Sequence, residues 1–205
     1  MKHRYDAIVI GAGQAGLAAG YHLKKKNRHF LIIDQAEQAG DSWRNRYDTL
    51  QLFTPRWYSS LPGLSLLGDP GGYPCKDEMA QYFQNYAEFF QLPIQFKTTV
   101  TSLTKVDEEF FIQTAQGEEY TASQVIVATG AFHKPFIPEF AKVVPEQMKQ
   151  LHSSIPKCFK FNRRSGSSGG SRQFRRTNCS RACEGQGCVL ISWTSTKVYA
   201  FRVAG

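Results

Sequence analysis

The run Tyr5-Asp6-Ala7-Ile8-Val9-Ile10 leads straight into Gly11-Ala12-Gly13-Gln14-Ala15-Gly16, a G-x-G-x-x-G that opens an Ala/Leu-rich helical stretch. Asp34 follows eighteen positions after Gly16, at the tip of a second strand, His29-Phe30-Leu31-Ile32-Ile33. A lone G-x-G-x-x-G says little, because glycines cluster in ordinary turns. Strand, turn, helix, second strand and acid in this order read as the first unit of a dinucleotide fold. Gly11 allows the tight turn, Gly13 lets the backbone approach a pyrophosphate, and Gly16 lets the helix pack close on the strand. The free N–H groups of the helix N-terminus then face the phosphates. The acid accepts hydrogen bonds from ribose hydroxyls.

Bulk charge points elsewhere at first. The chain has 25 Lys+Arg against 17 Asp+Glu, a net +8 that would suit a nucleic acid or an anionic surface. Residues 1–154 carry 15 basic and 16 acidic side chains, whereas residues 155–205 carry 10 basic ones against Glu184 alone. Cysteine follows the same division: Cys75 stands alone in the first part, and Cys158, Cys179, Cys183 and Cys188 lie in the second. Two unlike segments meet near Ser154, which divides the chain into a domain at 1–154 and a tail at 155–205. The C-x3-C-x4-C of the tail has poor ligand spacing and no nearby His, so no metal site is expected. Aromatic residues are sparse among its arginines, so no nucleic-acid partner is expected either.

At 205 residues the chain has room for one large or two small domains. No segment approaches the 18 or so apolar residues of a membrane span, so no membrane partner is expected. Lys2, His3 and Arg4 precede an apolar run in the manner of a signal peptide, but Asp6 and Gln14 interrupt it. The reading is cytoplasmic. A long Pro/Gly-punctuated stretch extends from Gly40 to Pro74, a length more often functional than idle. A helix is predicted over about Asp77 to Phe90, with Met79, Phe83, Tyr86 and Phe90 as a core stripe. Pro93 ends it. Strands are predicted around Ile94 to Thr98, Thr101 to Lys105, Phe110 to Thr114 and Gln124 to Val127, with a turn near Gln116-Gly117.

Residues 1–154 resemble the N-terminal half of the flavin-containing monooxygenase-like family, FAD- and NADPH-dependent oxidoreductases that include the class B flavoprotein monooxygenases. The resemblance is carried by the Gly11 to Gly16 turn, Asp34, the Gly-x-x-Trp-Arg loop at Gly40 to Arg44, and the Arg46 to Pro55 segment. Tyr73-Pro74 to Met79, Ala128-Thr129-Gly130 and Gln150 to Ser154 add to it. It implies an α/β, Rossmann-like three-layer FAD-binding domain. It assigns Gly11, Gly13, Gln14, Ala15, Gly16, Asp34 and Gln35 to the pyrophosphate and ribose, and Trp43, Arg44 and Thr54 to positions along the flavin. Val100 maps to a backbone contact with adenine, and Ala128, Thr129 and Gly130 to the strand end beside the cofactor. Read without the resemblance, Trp43 is a packed aromatic and Arg44 one half of a surface ion pair.

The sequence departs from the family at two places. Glu146 and Met148 stand where its identifying segment before His152 has Phe and Gly. Relatives also continue into a second dinucleotide fold that binds NADPH, and no second G-x-G-x-x-G exists here. The genetic code accounts for this. Reading each codon one nucleotide later, codons can be chosen so that Arg172 through Glu184 becomes Gly-Asn-Ser-Gly-Ala-Gln-Ile-Ala-Val-Glu-Leu-Ala-Lys. Gly170-Ser171 then supply the Gly-Ala that completes the missing turn. Residues from about Ile155 thus read as out-of-frame translation of an NADPH domain. Such a tail is expected to be disordered, or at best to form a few poorly packed strands around Cys188 to Ser192 and Lys197 to Val203.

The resulting reading is an incomplete FAD-binding oxidoreductase of flavin-dependent monooxygenase type, truncated and inactive, to which NADPH is not expected to bind. In the intact enzyme, as the resemblance implies, NADPH reduces FAD and one oxygen of O2 passes to a small molecule, a soft nucleophile or a carbonyl. No side chain is assigned as catalytic acid, base or nucleophile; His133 and His152 read as structural. Two alternatives stand: a non-catalytic fragment without cofactor, and a flavin disulfide reductase, for which Cys75 lacks a C-x-x-C partner.

Overall fold

The computed structural model describes residues 3–131, 136–144, 189–194 and 197–202. Contacts divide the chain into two compact units, Met1–Arg44 with Gln51–His133 and Asn45–Leu50 with Lys134–Gly205. The first holds β1 (His3–Ile10), α1 (Gln14–Lys25), β2 (Phe30–Ile33), α2 (Asp41–Arg44), α3 (Arg56–Ser59) and α4 (Lys76–Phe89). These are followed by β3 (Ile94–Gln95), β4 (Val100–Val106), β5 (Glu109–Thr114) and β6 (Glu119–Val127).

The strands form one sheet in the order β3-β2-β1-β6-β5-β4. β1 pairs in parallel with β2 and β6, and β2 in parallel with β3, while β4, β5 and β6 form an antiparallel arm. Ala7, Ile8 and Val9 of β1 and all four residues of β2 are buried. Strands covered on both faces need continuous apolar runs, which is why these segments read as strands without alternation.

One face of the parallel strands packs on α1 and α4 through Val9, Leu17, Ile32, Met79, Phe83 and Tyr86. The opposite face carries Ile8, Leu31 and Ile33, which cluster with Ile112 of β5 and Tyr120 and Ala122 of β6. In hydrogen-bonding order β5 stands three places from β2, a separation of roughly 14 Å at about 4.8 Å per strand in a flat sheet. The antiparallel arm therefore folds back over the parallel strands. The Tyr120 hydroxyl donates to Gln95 Oε1 at 2.8 Å, joining β6 to β3 across that fold. Helices, parallel strands and antiparallel arm make the three layers, a Rossmann-like α/β fold.

Differences from the expected elements have local causes. Within Gly40 to Pro74, α2 and α3 are single turns of four residues each, too short to leave a periodic pattern. β6 begins at Glu119, five residues before the expected start, because Glu119 to Ala122 pair with β5 beyond the Gly117 turn. In the α4 stripe Met79, Phe83 and Tyr86 are fully buried, and Phe90, one residue past the helix, is half-buried.

In the second unit the Leu50 N–H donates to the Tyr47 carbonyl at 3.1 Å, and Glu139–Val143 forms a 3-10 turn. Val189–Thr194 (β7) pairs antiparallel with Lys197–Arg202 (β8), in the stretch where a disordered tail, or at best a few poorly packed strands, was expected. His133, Glu146, Met148, His152, Cys158, Cys179, Cys183, Cys188 and the arginine-rich segment fall outside the described residues. No helix among the described residues is long and apolar enough to cross a membrane.

Candidate functional site

The glycine turn joins β1 to α1, and each glycine has a distinct reason. Gly11 has φ +110°, and a Cβ there would lie 2.5 Å from the Ala128 carbonyl oxygen. The turn and the end of β6 thus approach backbone to backbone, fixed further by the Ala128 N–H donating to the Ile10 carbonyl at 2.8 Å. A Cβ on Gly16 would fall 1.8 Å from the Gly11 carbonyl oxygen, so α1 leaves the turn at the closest possible approach. Gly13 differs: a Cβ there meets nothing within 4 Å. That absence of neighbours opens the backbone to whatever lies outside it.

α1 begins at this open point. Gly13 is its N-cap, with no side-chain cap and no acidic residue in the first turn. The first four N–H groups of a helix have no partner within it, and Gln14 and Ala15 are exposed. An uncapped helix N-terminus beside an open glycine fits an anionic group such as a pyrophosphate.

Asp34 stands at the end of β2 and reaches back to this turn. Its Oδ2 accepts from the Ala12 N–H at 2.5 Å and its Oδ1 from the Ala36 N–H at 2.7 Å. Its backbone is held on the other side, the N–H donating to the Gln95 carbonyl and the carbonyl accepting from the Thr98 N–H, each at 3.0 Å. Gln35 is exposed next to it. The same crossing delivers the chain to Val100, half-buried at the start of β4 opposite Thr114. Thr129 and Gly130 are exposed beyond β6, Gly130 at φ +72°. The structure thus brings together the glycine turn, Asp34 and the Ala128 end of β6.

Trp43, Arg44 and Thr54 are placed by other partners. Gly40, at φ +87°, lies so close to α4 that a Cβ would come within 2.4 Å of the Ala80 carbonyl oxygen, which sets α2 down on α4. Trp43 then meets Phe83 edge-on at 6.2 Å. The Arg44 guanidinium donates to the Ala39 carbonyl and Gln84 Oε1 at 2.8 Å and to Asp41 at 3.1 Å. Its donors anchor the loop. The Thr54 hydroxyl shares a 2.7 Å hydrogen bond with Ser59.

Comparison with known proteins gives these elements a context. The family model described as pyridine nucleotide-disulphide oxidoreductase matches residues 8–165. An uncharacterized CzcO-like oxidoreductase of Geobacillus kaustophilus is 54% identical over 154 residues, covering 75% of this chain and 44% of that protein. A flavin-containing monooxygenase from Stenotrophomonas maltophilia superposes with a TM-score of 0.62 at 30% identity, covering 67% of this chain and 42% of the other. This chain belongs to the pyridine nucleotide-disulphide oxidoreductases, in their flavin-containing monooxygenase-like family. A probable indole-3-pyruvate monooxygenase of Arabidopsis thaliana, YUCCA7, is 33% identical over 145 residues, which cover 65% of this chain and 33% of that protein. The chain spans less than half the length of the curated relatives it matches.

In this flavin-monooxygenase-like chain, sequence reasoning missed the groups that hold α2 and the adjoining loop. Lys76, at the first position of α4, is buried, and its ammonium donates to the Arg44 carbonyl at 3.2 Å and to Asp77 at 3.0 Å. Arg56 pairs with Glu78, whose other oxygen accepts from the Cys75 N–H at 2.8 Å in a capping box. That backbone donor, with Arg56 beside it, holds the Glu78 carboxyl below its ordinary range against the opposing effect of burial. Cys75 is a free cysteine. The Lys-Asp-x-x sequence after Pro74 signals a helix start through its acids, but nothing in it marks the lysine as buried. Among the described residues no group of three or more His, Cys, Asp or Glu side chains could hold a metal ion.

Proposed function

We propose that residues 1–154 bind FAD as the flavin half of an NADPH-dependent oxidoreductase of monooxygenase type, and that residues 155–205 supply no NADPH site, so that residues 1–205 by themselves are inactive as an enzyme. The observation that carries the FAD assignment is the open face of Gly13, which the fold itself does not require. Gly13, Gln14 and Ala15 face the pyrophosphate while Gly11 and Gly16 shape the turn that presents them, Asp34 and Gln35 meet the ribose, and Val100 the adenine. Ala128, Thr129 and Gly130 border the cofactor, and Trp43 and Thr54 lie along its ring system. Arg44 acts through the loop it anchors, since its guanidinium is already committed.

When bound, FAD supplies hydride acceptance and oxygen activation, chemistry that side chains lack. The protein's part is to bind and orient the cofactor. The α1 N-terminus offsets the charge of the pyrophosphate, and the α2 loop, locked to α4, offers a fixed aromatic wall. Small-molecule substrates belong to the intact enzyme. The purified chain is expected to show flavin absorbance, or to take up added FAD, without bleaching when NADPH is supplied. Absence of FAD uptake contradicts the assignment, and NADPH-dependent bleaching contradicts the role given to the tail.

A further inference from the structure

We propose that Asp34 is a positioning residue for the glycine turn, its carboxylate holding the Ala12 N–H so that the phosphate-facing backbone is set before any dinucleotide arrives. Two consecutive amides of the turn are pinned to the end of β2: the Gly11 N–H donates to the Ile33 carbonyl at 2.8 Å and the Ala12 N–H to Asp34 Oδ2 at 2.5 Å. Ala12 is buried, so without the carboxylate its N–H would have neither water nor a strand partner, a costly arrangement. Asp34 is a rigid post for this purpose. Its backbone is bonded to Gln95 and Thr98 on the far side, and its second oxygen is occupied by Ala36.

The clamp and the ribose contact are compatible. An ionised carboxylate offers about four lone-pair sites, and two backbone N–H groups leave two for hydroxyls. The shape of the residue is therefore constrained in a way ribose binding alone does not require. Asn has the same shape but one accepting oxygen, so whichever way it turns, one backbone N–H faces an amide NH2. Glu keeps both oxygens and the charge, but its extra carbon moves them by about 1.5 Å, one C–C bond.

Amide hydrogen exchange on the cofactor-free protein, combined with FAD titration, separates the two roles. In Asp34→Asn and Asp34→Glu, exchange at Ala12 is expected to rise about tenfold or more while Ile8 and Val9 keep their protection. FAD affinity is expected to fall about tenfold or more in both variants. Unchanged exchange at Ala12, or wild-type FAD affinity in Asp34→Glu, overturns the proposal. Loss of protection throughout the β1 core in both variants also overturns it, because Asp34 would then determine the fold and not the turn. The consequence for affinity rests on the FAD reading; if the unaltered protein takes up no FAD, that reading fails while Ala12 exchange still decides the clamp.

Discussion

Gly13 and Gly16 stand three residues apart in one turn and answer to different constraints. Gly13 has φ −80°, which any residue adopts, and faces open space; Gly16 has no room for a single carbon. Gly13→Val is expected to cost about 1 kcal/mol of stability or less, the scale of a change at an N-cap, yet to abolish flavin retention. Gly16→Ala is expected to unfold the turn and depress the melting temperature sharply, because the methyl group collides with backbone. Thermal melts with flavin absorbance on the two variants check the contrast. Asp34→Ala removes a carboxylate with two backbone donors and is expected to weaken FAD binding by about 1.5–3 kcal/mol in a fluorescence titration. The fingerprint and the separate task of each glycine were legible from its spacing. That Gly11 also meets the Ala128 carbonyl was not, since Ala128 lies more than a hundred residues away.

At the scale of elements, α4 connects the core to the candidate site. Phe83 is fully buried and carries Trp43 on its edge, so Phe83→Ala is expected to cost about 3–5 kcal/mol in denaturant unfolding and to free the α2 loop. The folded-back arm has its own signature. Burial, with the neighbouring Glu118 carboxylate, pushes Tyr120 up to about 12. A tyrosine raised above its unfolded value of about 10 contributes stability that is complete below pH 10 and is lost as the pH rises from about 10 through about 12. Stability measured across that window is expected to fall, and less steeply in Tyr120→Phe. The helix stripe and the parallel strands were readable from periodicity and apolar runs. The first half of β6 was not, because Tyr-Thr-Ala becomes a strand through pairing with β5, and the burial of Lys76 is set by the Arg44 carbonyl it meets.

On the scale of the whole molecule, the family model matches residues 8–165, which includes most of the charge-balanced segment 1–154 and runs eleven residues beyond it. The change of charge at Ser154 is visible in composition, whereas the three-layer arrangement was implied only by the family resemblance, because no local pattern reveals that an antiparallel arm turns back over β1 and β2. Under the proposal that residues 155–205 supply no NADPH site, shifting the reading frame near Ile155 is expected to add NADPH oxidation, measured as loss of NADPH absorbance. The central claim, that the glycine turn of residues 11–16 holds FAD, is tested most directly by the flavin content of the purified protein after incubation with excess FAD and desalting. One flavin per chain is expected for the unaltered protein and none for an equally stable Gly13→Val. Equal flavin in the two, or none in either, contradicts it.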